Sequence, residues 1–134
     1  MNKRKVNQLA YEIVSAAIKV HNALGPGLLE SIYEKCLEHE LQKRGHKVVS
    51  QKVIPISYDG LELDANLRLD LFVDNLVIVE VKAVQEVHPV HQAQILSYMK
   101  LLNVPKGILI NFHCTKITDD AQHFVNQIFK DLPA

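Results

Sequence analysis

The stretch "LVIVEVKAV", residues 76–84, decides the fold because it sets a carboxylate and an amine into an apolar, β-branched run. Such a run is typical of a central β-strand. Glu80 and Lys82 are two residues apart, so in a strand their side chains lie on the same face. An ionised group in a dry core is costly unless it is paired or binds a metal. The two charged residues therefore mark this strand as a candidate site.

The composition is that of an ordinary soluble globular protein. The chain has 134 residues, of which 48% are hydrophobic, and carries no net charge, so we expect a single domain over residues 1–134. We expect a cytoplasmic protein, because no apolar segment is typical of a membrane span or a signal peptide. Cys36 and Cys114 lack the spacing of a zinc site and are expected to be free thiols. Zero net charge argues against a sequence-independent nucleic-acid binder but permits a local basic patch.

The periodicity of apolar residues predicts the order of the elements. Helical spacing, β-branched runs and turn residues together predict helices over 6–24 and 28–44, three antiparallel strands over 47–57, 61–72 and 76–84, a helix over 89–102, a strand in "GILINF" (107–112), and a last helix that Thr118 caps and that runs through "TDDAQHFVNQIFKDL". This order predicts one α/β domain with a mixed central sheet flanked by helices.

Asp70 lies in the apolar run of the preceding strand, and the register of the hairpin decides where it points. If Asp74 and Asn75 alone form the loop, Val79 lies opposite Asp70, and the acids face opposite sides. If the loop has an odd length centred on Asn75, Asp70 lies opposite Glu80, with Cβ atoms roughly 5 Å apart. The sequence leaves both registers open, and only the second lets the acids act together.

Two facing carboxylates point to a bound cation. At close range they repel one another by about 4 kcal/mol. Lys82 could neutralise one acid, whereas a divalent metal could neutralise both, and oxygen ligands favour Mg²⁺ or Mn²⁺. Two acids, a metal and a lysine suit the hydrolysis of a phosphodiester. The alternative is a plain structural ion pair between Glu80 and Lys82, because a Glu-x-Lys triplet also occurs often by chance.

Three motifs in order resemble a known family. The spacing Asp70…Glu80-Val81-Lys82 resembles the PD-(D/E)XK nuclease signature, with Leu69 in place of the proline. "GLLESIY" (27–33) resembles the motif that names the GxxExxY protein family, "QILSY" (94–98) resembles the QxxxY motif of RecB-type nucleases, and "GILINF" is similar to the strand that follows in GxxExxY proteins. The resemblance spans most of residues 25–112. It implies a restriction-endonuclease-like α-β-β-β-α-β core and Mg²⁺-dependent cleavage of DNA.

The resemblance also implies roles for individual residues. Asp70, Glu80 and the backbone carbonyl of Val81 would bind Mg²⁺ (or Mn²⁺). Glu30 would complete the acidic cluster, and Lys82 would activate water or stabilise the transition state. The alternative for Glu30 is a solvated acid that the helix dipole favours in the first turn.

Three further residues are expected to support the site. Gln94 and Tyr98 lie four apart on one helix face, which the resemblance places along the cleft toward metal ligands or nucleic acid. The alternative is the polar side of an amphipathic helix. Tyr33 shares a helix face with Glu30, and its simplest role is a core aromatic whose hydroxyl is hydrogen-bonded at the edge of the cavity.

The leading hypothesis is a Mg²⁺-dependent nuclease that hydrolyses nucleic-acid phosphodiester bonds, with DNA as the expected substrate. The alternative is a catalytically silent module of the same fold that binds nucleic acid or a protein partner. The short chain and its zero net charge keep this alternative open, because an enzyme of this size often gains substrate contacts from a second copy or a partner. No membrane partner is expected, and a homodimer remains possible.

Overall fold

A computed structural model describes residues 1–134 as a five-stranded mixed sheet with helices on both faces, together with a separate two-stranded hairpin. The elements, in chain order, are α1 (Lys3–Leu24), α2 (Glu30–Lys43), β1 (Val48–Val53), β2 (Ile56–Tyr58), β3 (Leu61–Leu63), β4 (Arg68–Val73), β5 (Val77–Lys82), α3 (Pro89–Leu102), β6 (Lys106–Asn111), α4 (Ile117–Asp120), β7 (Gln122–Val125) and α5 (Gln127–Lys130). The predicted α/β class is confirmed. None of these helices has the length and hydropathy of a membrane span.

The sheet has the order β1-β4-β5-β6-β7, and its centre is the predicted strand. β5 pairs antiparallel with β4 and parallel with β6, which the chain reaches through the crossover helix α3. A strand covered on both faces is apolar throughout rather than alternating. Val77, Val79 and Val81 accordingly pack in the core beneath α1 and α2, whereas Ile78 packs against Ile95 and Met99 of α3.

The two N-terminal helices follow their predicted periodicity. The apolar stripe of α1 is buried at Val6, Leu9, Ile13, Ala17 and Val20. The helix begins at Lys3, earlier than predicted, because the side chain of Asn2 caps it by accepting a hydrogen bond from the amide of Lys5. The turn before α2 contains Gly25 and Gly27, both with positive φ, a conformation that glycine adopts without strain.

The predicted C-terminal helix is wrong. A short helix is followed by an extended Ala121, then β7, then α5. β7 pairs antiparallel with β6 and thereby covers a sheet edge whose backbone groups would otherwise lack partners. Thr118 is not the N-cap, since Lys116 takes that position. Residues 122–125 alternate in burial as strand residues do, although their sequence "QHFV" does not alternate polar and apolar residues.

Two predicted strands are each divided. Pro55 lacks an N–H and lies between β1 and β2, where the first long strand was expected to continue. The chain instead folds β2 and β3 into a hairpin through Asp59 and Gly60, both of which have positive φ as two-residue hairpin turns require. Residues 64–67 then lead back to β4.

Candidate active site

The hairpin between β4 and β5 has the register that brings the two acids together. Leu71 pairs with Val79, and Val73 pairs with Val77, so the connection is the three residues 74–76. Asp74 and Asn75 both have positive φ, which is common in aspartate and asparagine. The odd-length loop centred on Asn75 is therefore confirmed. Continuing the same register places Asp70 opposite Glu80.

Beyond Leu71 and Val79, hydrogen bonds to side chains replace the backbone pairing of β4 and β5. The amide of Asp70 donates to Oε1 of Glu80 at 3.4 Å, and the amide of Val81 donates to Oδ2 of Asp70 at 2.8 Å. The regular pairs of β4 and β5 end one residue earlier, at Leu71 and Val79. The Asp70 carboxylate thus lies between the two strands, beside a Glu80 side chain that is buried with only 6% of the residue exposed.

The electrostatics of this acid pair are not balanced by an ion pair. Burial, reinforced by the negative charge of Asp70, raises the pKa of Glu80 to about 9. The charge of Lys82 acts in the opposite direction but is a lesser influence. The salt bridges of the chain lie elsewhere, around Glu40 and His46. A structural ion pair between Glu80 and Lys82 is therefore not what the structure contains.

Helix α2 brings two more carboxylates to this place. Glu30, in its exposed first turn, accepts a hydrogen bond at 3.4 Å from the amide of Ala83, the residue after Lys82. One turn later, the carboxylate of Glu34 accepts from the side-chain amide of Gln51 at 2.9 and 3.1 Å. Gln51 also donates to Oδ1 of Asp70 at 3.4 Å. It therefore links the acid on α2 to the acid on β4.

The sequence analysis did not identify Glu34 or Gln51, and only Glu34 had a recognisable signal in the sequence. Glu34 is four residues after Glu30, so the two share a helix face. Gln51 lies between the pairs Ser50–Leu71 and Lys52–Leu69 and has a positive φ of 52°. No pattern in the sequence predicts this irregularity. Burial raises the pKa of Glu34 to about 7; the Gln51 hydrogen bond opposes this shift, and the charge of Asp70 adds to it.

The sequence model of the PD-(D/E)XK nuclease superfamily matches residues 7–124 of the chain. The chain belongs to this superfamily. Membership confirms the resemblance and the restriction-endonuclease-like fold. No curated protein and no solved structure gives a significant match.

Nucleases of this superfamily generally use divalent metal ions, and the donor set here fits one in an open form. No group of three or more His, Cys, Asp or Glu side chains forms a closed metal cage. Mg²⁺ commonly binds through one or two carboxylates, with water and substrate phosphates as its other ligands. Asp70 and Glu80 meet that requirement, since both are hard oxygen donors and neither has a lysine or arginine partner in an ion pair.

Tyr33 has a structural role in this superfamily domain. It is fully buried, and its ring stacks on Phe112 with centroids 4.5 Å apart. Its hydroxyl donates to the carbonyl of Gly25 and accepts from the amide of Leu28 at 3.0 Å. Tyr33 thus stabilises the turn before α2 and positions the first turn of that helix, which carries Glu30.

The two residues predicted on α3 differ in their surroundings. Tyr98 is buried in the core, and burial together with the negative charges of Glu80 and Asp70 raises its pKa. Gln94 is exposed, and its side chain makes no hydrogen bond within the chain. The structure therefore brings Tyr98 near the acid pair and leaves Gln94 facing solvent.

Asn111 is a further residue that positions the site and that sequence reasoning missed. It ends β6 beside Lys82 in the parallel register, and only 4% of it is exposed. Its side-chain oxygen accepts from the amides of Val84 and His113 at 3.1 and 3.2 Å, and its nitrogen donates to the carbonyl of Val84 at 2.8 Å. Asn111 thus holds the chain directly after Lys82. A polar residue within "GILINF" is the same anomaly as a charge within "LVIVEVKAV", and could have been noticed.

Proposed function

We propose that this protein is a Mg²⁺-dependent nuclease that hydrolyses phosphodiester bonds, with DNA as its substrate. The observation that carries the proposal is the pair of the partly buried Asp70 and the buried Glu80, whose carboxylates adjoin one another without an ion-pair partner. Lys82, two residues after Glu80 on the same strand face, is partly exposed and likewise has no salt bridge. Superfamily membership supports the same reaction class.

Each residue of the site would have a distinct role in phosphodiester hydrolysis. Asp70 and Glu80, with the carbonyl of Val81, would hold the cation, which when bound polarises the phosphate and lowers the pKa of a water molecule. Lys82 would orient the attacking water and stabilise the negative charge that develops on the phosphate oxygens. Glu30 and Glu34 border the same place from α2, where Glu34 acts on Asp70 through Gln51.

DNA cleavage in the presence of Mg²⁺ or Mn²⁺ tests this proposal. We expect the wild-type protein to cut plasmid or oligonucleotide DNA, and Asp70→Ala and Lys82→Ala to lose about 100-fold or more in rate, as removal of a transition-state contact does. Lys100→Ala is the matched control, because Lys100 is exposed on α3 and its side chain makes no hydrogen bond. Unaltered activity in both site variants would overturn the assignment. RNA oligonucleotides in the same assay decide between the two nucleic acids.

A catalytically silent module is the second candidate, and the zero net charge favours it. Such a module would bind nucleic acid or a protein partner through the same fold. A metal titration separates the two candidates. If Mg²⁺ does not stabilise the wild-type protein, or stabilises Glu80→Ala equally, the module is favoured. Assignment to the GxxExxY subfamily, carried by "GLLESIY", stays a prediction under either function.

A further inference from the structure

A cavity lies away from the acid pair, between α1, the first residue of β6 and the segment from α4 to β7. Its volume is about 330 Å³, and Lys106 lines it. Lys106 pairs with Val77 at one end of the β5–β6 ladder, whereas Lys82 pairs with Asn111 at the other end. The cavity and the candidate active site are thus separated by the length of a strand.

The side chain of Lys106 is largely buried, and its ammonium group reaches the surface without a partner in the chain. Only 7% of the residue is exposed, and its ammonium group makes neither a hydrogen bond nor a salt bridge within the chain. Burial lowers its pKa, and no neighbouring carboxylate acts to raise it. None of the residues that line the cavity is acidic. A partly desolvated cation without a counter-charge is stabilised by an anion that binds beside it.

The other polar groups of the cavity are hydrogen-bond donors at its rim. Asn7, Tyr11, Thr118 and His123 are exposed, and none of their side chains is engaged in a hydrogen bond within the chain. His123 pairs with Ile108 across the β6–β7 ladder, which places it diagonally from Lys106 on the same sheet face. An ammonium group with free hydrogen-bond donors around it suits an oxyanion.

We infer that this cavity binds a small oxyanion, a phosphate or a carboxylate group, with Lys106 as its counter-charge and the rim donors as its hydrogen-bond partners. The volume is ample for such a group and for a small organic body attached to it. The site is independent of the proposed nuclease activity, since it shares no residue with the acid pair.

Amide chemical shifts measured during titration of the full chain with inorganic phosphate, and separately with acetate, test the inference. Sodium chloride holds the ionic strength constant. We expect saturable shifts at Lys106, Ala121 and His123, with a dissociation constant of about 1 mM or tighter for at least one of the two probes. Comparison of the two titrations identifies the anion class. Absence of saturation with both probes would overturn the site.

Substitution of Lys106 tests whether this residue is the counter-charge of the bound anion. Lys106→Met removes the cation and keeps an unbranched side chain, and we expect it to weaken binding at least tenfold. Lys100→Met, with the same change of charge on the opposite face of the sheet, should leave the affinity unchanged. We also expect the probe to raise the melting temperature of the wild-type protein and not that of Lys106→Met. Equal affinity in wild-type protein and Lys106→Met would refute the role of Lys106.

Discussion

At the scale of the residue, the buried Glu80 is the costliest feature of the molecule. A carboxylate in this position repels Asp70 and has lost most of its contact with water. Folding alone would favour an apolar residue there, as in the rest of β5. Strained or destabilising groups of this kind are retained where function needs them. The physical cost should therefore be measurable as a pH dependence of stability.

The first prediction concerns that pH dependence. The folded state raises the pKa of Glu80 from 4.5 to about 9, so it binds this proton more tightly than the unfolded chain does. Stability from the bound proton is complete below about pH 4.5 and is lost as pH rises through about 9. With a chelator present to remove metal ions, the unfolding free energy of the wild-type protein should fall over this window. In Glu80→Gln the fall should be smaller by at least about 1.4 kcal/mol. Urea denaturation measures it.

The control for that prediction is Glu62→Gln, an exposed glutamate on β3, which should leave the pH profile unchanged. A smaller dependence should persist in Glu80→Gln near pH 7, where Glu34 titrates. A wild-type stability that rises from pH 5 to pH 9 would contradict the assignment of a raised pKa.

The second prediction concerns Glu34, which acts on Asp70 through Gln51. Glu34→Gln replaces one of the two oxygens that accept from the Gln51 amide and removes the negative charge, so Gln51 holds Asp70 less firmly. We expect the rate of metal-dependent cleavage to fall about tenfold, as the loss of an outer-shell partner of a metal site does. Glu38→Gln, one turn further along α2 and without a hydrogen bond, is the matched control. Equal rates in the two variants would separate Glu34 from the site.

At the scale of the element, buried polar side chains set where the ends of helices and strands lie. Tyr33 fastens the start of α2, and Asn111 fastens the chain after β5. Gly107 allows α3 to approach the sheet, since a Cβ there would lie 2.9 Å from the sulfur of Met99. The contacts of Tyr33 and Asn111 position Glu30 and Lys82 at the same end of the sheet.

The third prediction is that Tyr33→Phe destabilises the protein through the turn before α2. The substitution keeps the stacking on Phe112 and removes the hydroxyl that bonds Gly25 and Leu28. We expect a loss of about 1–3 kcal/mol in unfolding free energy, the cost of a buried hydrogen bond left unmade. Tyr11→Phe, at an exposed tyrosine, should cost close to nothing. Urea denaturation of both variants checks it.

The fourth prediction is that Asn111→Ala frees the chain that follows Lys82. The amides of Val84 and His113 lose their acceptor, so we expect faster hydrogen exchange at both positions and a loss of about 1–3 kcal/mol. Cleavage should fall as well, because Lys82 is no longer held in place. Asn22→Ala, at an exposed asparagine on α1, is the control. Unchanged exchange at Val84 would show that Asn111 does not hold this segment.

At the scale of the whole molecule, the site is assembled from four separate parts of the chain. Glu30 and Glu34 come from α2, Gln51 from β1, Asp70 from β4, and Glu80 with Lys82 from β5. The chain carries no net charge, so a long-range basic field does not draw nucleic acid to the protein. Local contacts and the metal would have to supply the affinity.

The fifth prediction is that a divalent metal stabilises the whole fold. A cation between Asp70 and Glu80 removes their repulsion and binds only the folded state, so Mg²⁺ or Mn²⁺ at about 100 times its dissociation constant should add about 2.7 kcal/mol. Thermal unfolding measures the effect, and Asp70→Asn should abolish it. Asp59→Asn, on the exposed tip of the β2–β3 hairpin, should preserve it. Equal stabilisation of wild-type protein and Asp70→Asn would place the metal elsewhere.

Local patterns in the sequence were enough to predict much of this protein, because they depend on neighbours in the chain. The central strand, the two N-terminal helices, the crossover helix and the acid-x-lysine motif are all of this kind. β7 was not predictable in the same way, since its residues become a strand by pairing with the open edge of β6. A short segment with mixed signals follows its tertiary surroundings.

The amino-acid sequence by itself determined the α/β class, the strand that carries Glu80 and Lys82, and the motifs of the superfamily. Only the tertiary structure decided that Asp70 faces Glu80, because two hairpin registers were compatible with the same residues. It also decided that Glu34 reaches Asp70 through Gln51, and that the ammonium group of Lys106 has no carboxylate partner. These features depend on contacts between segments far apart in the chain, and local propensity contains no information about such contacts.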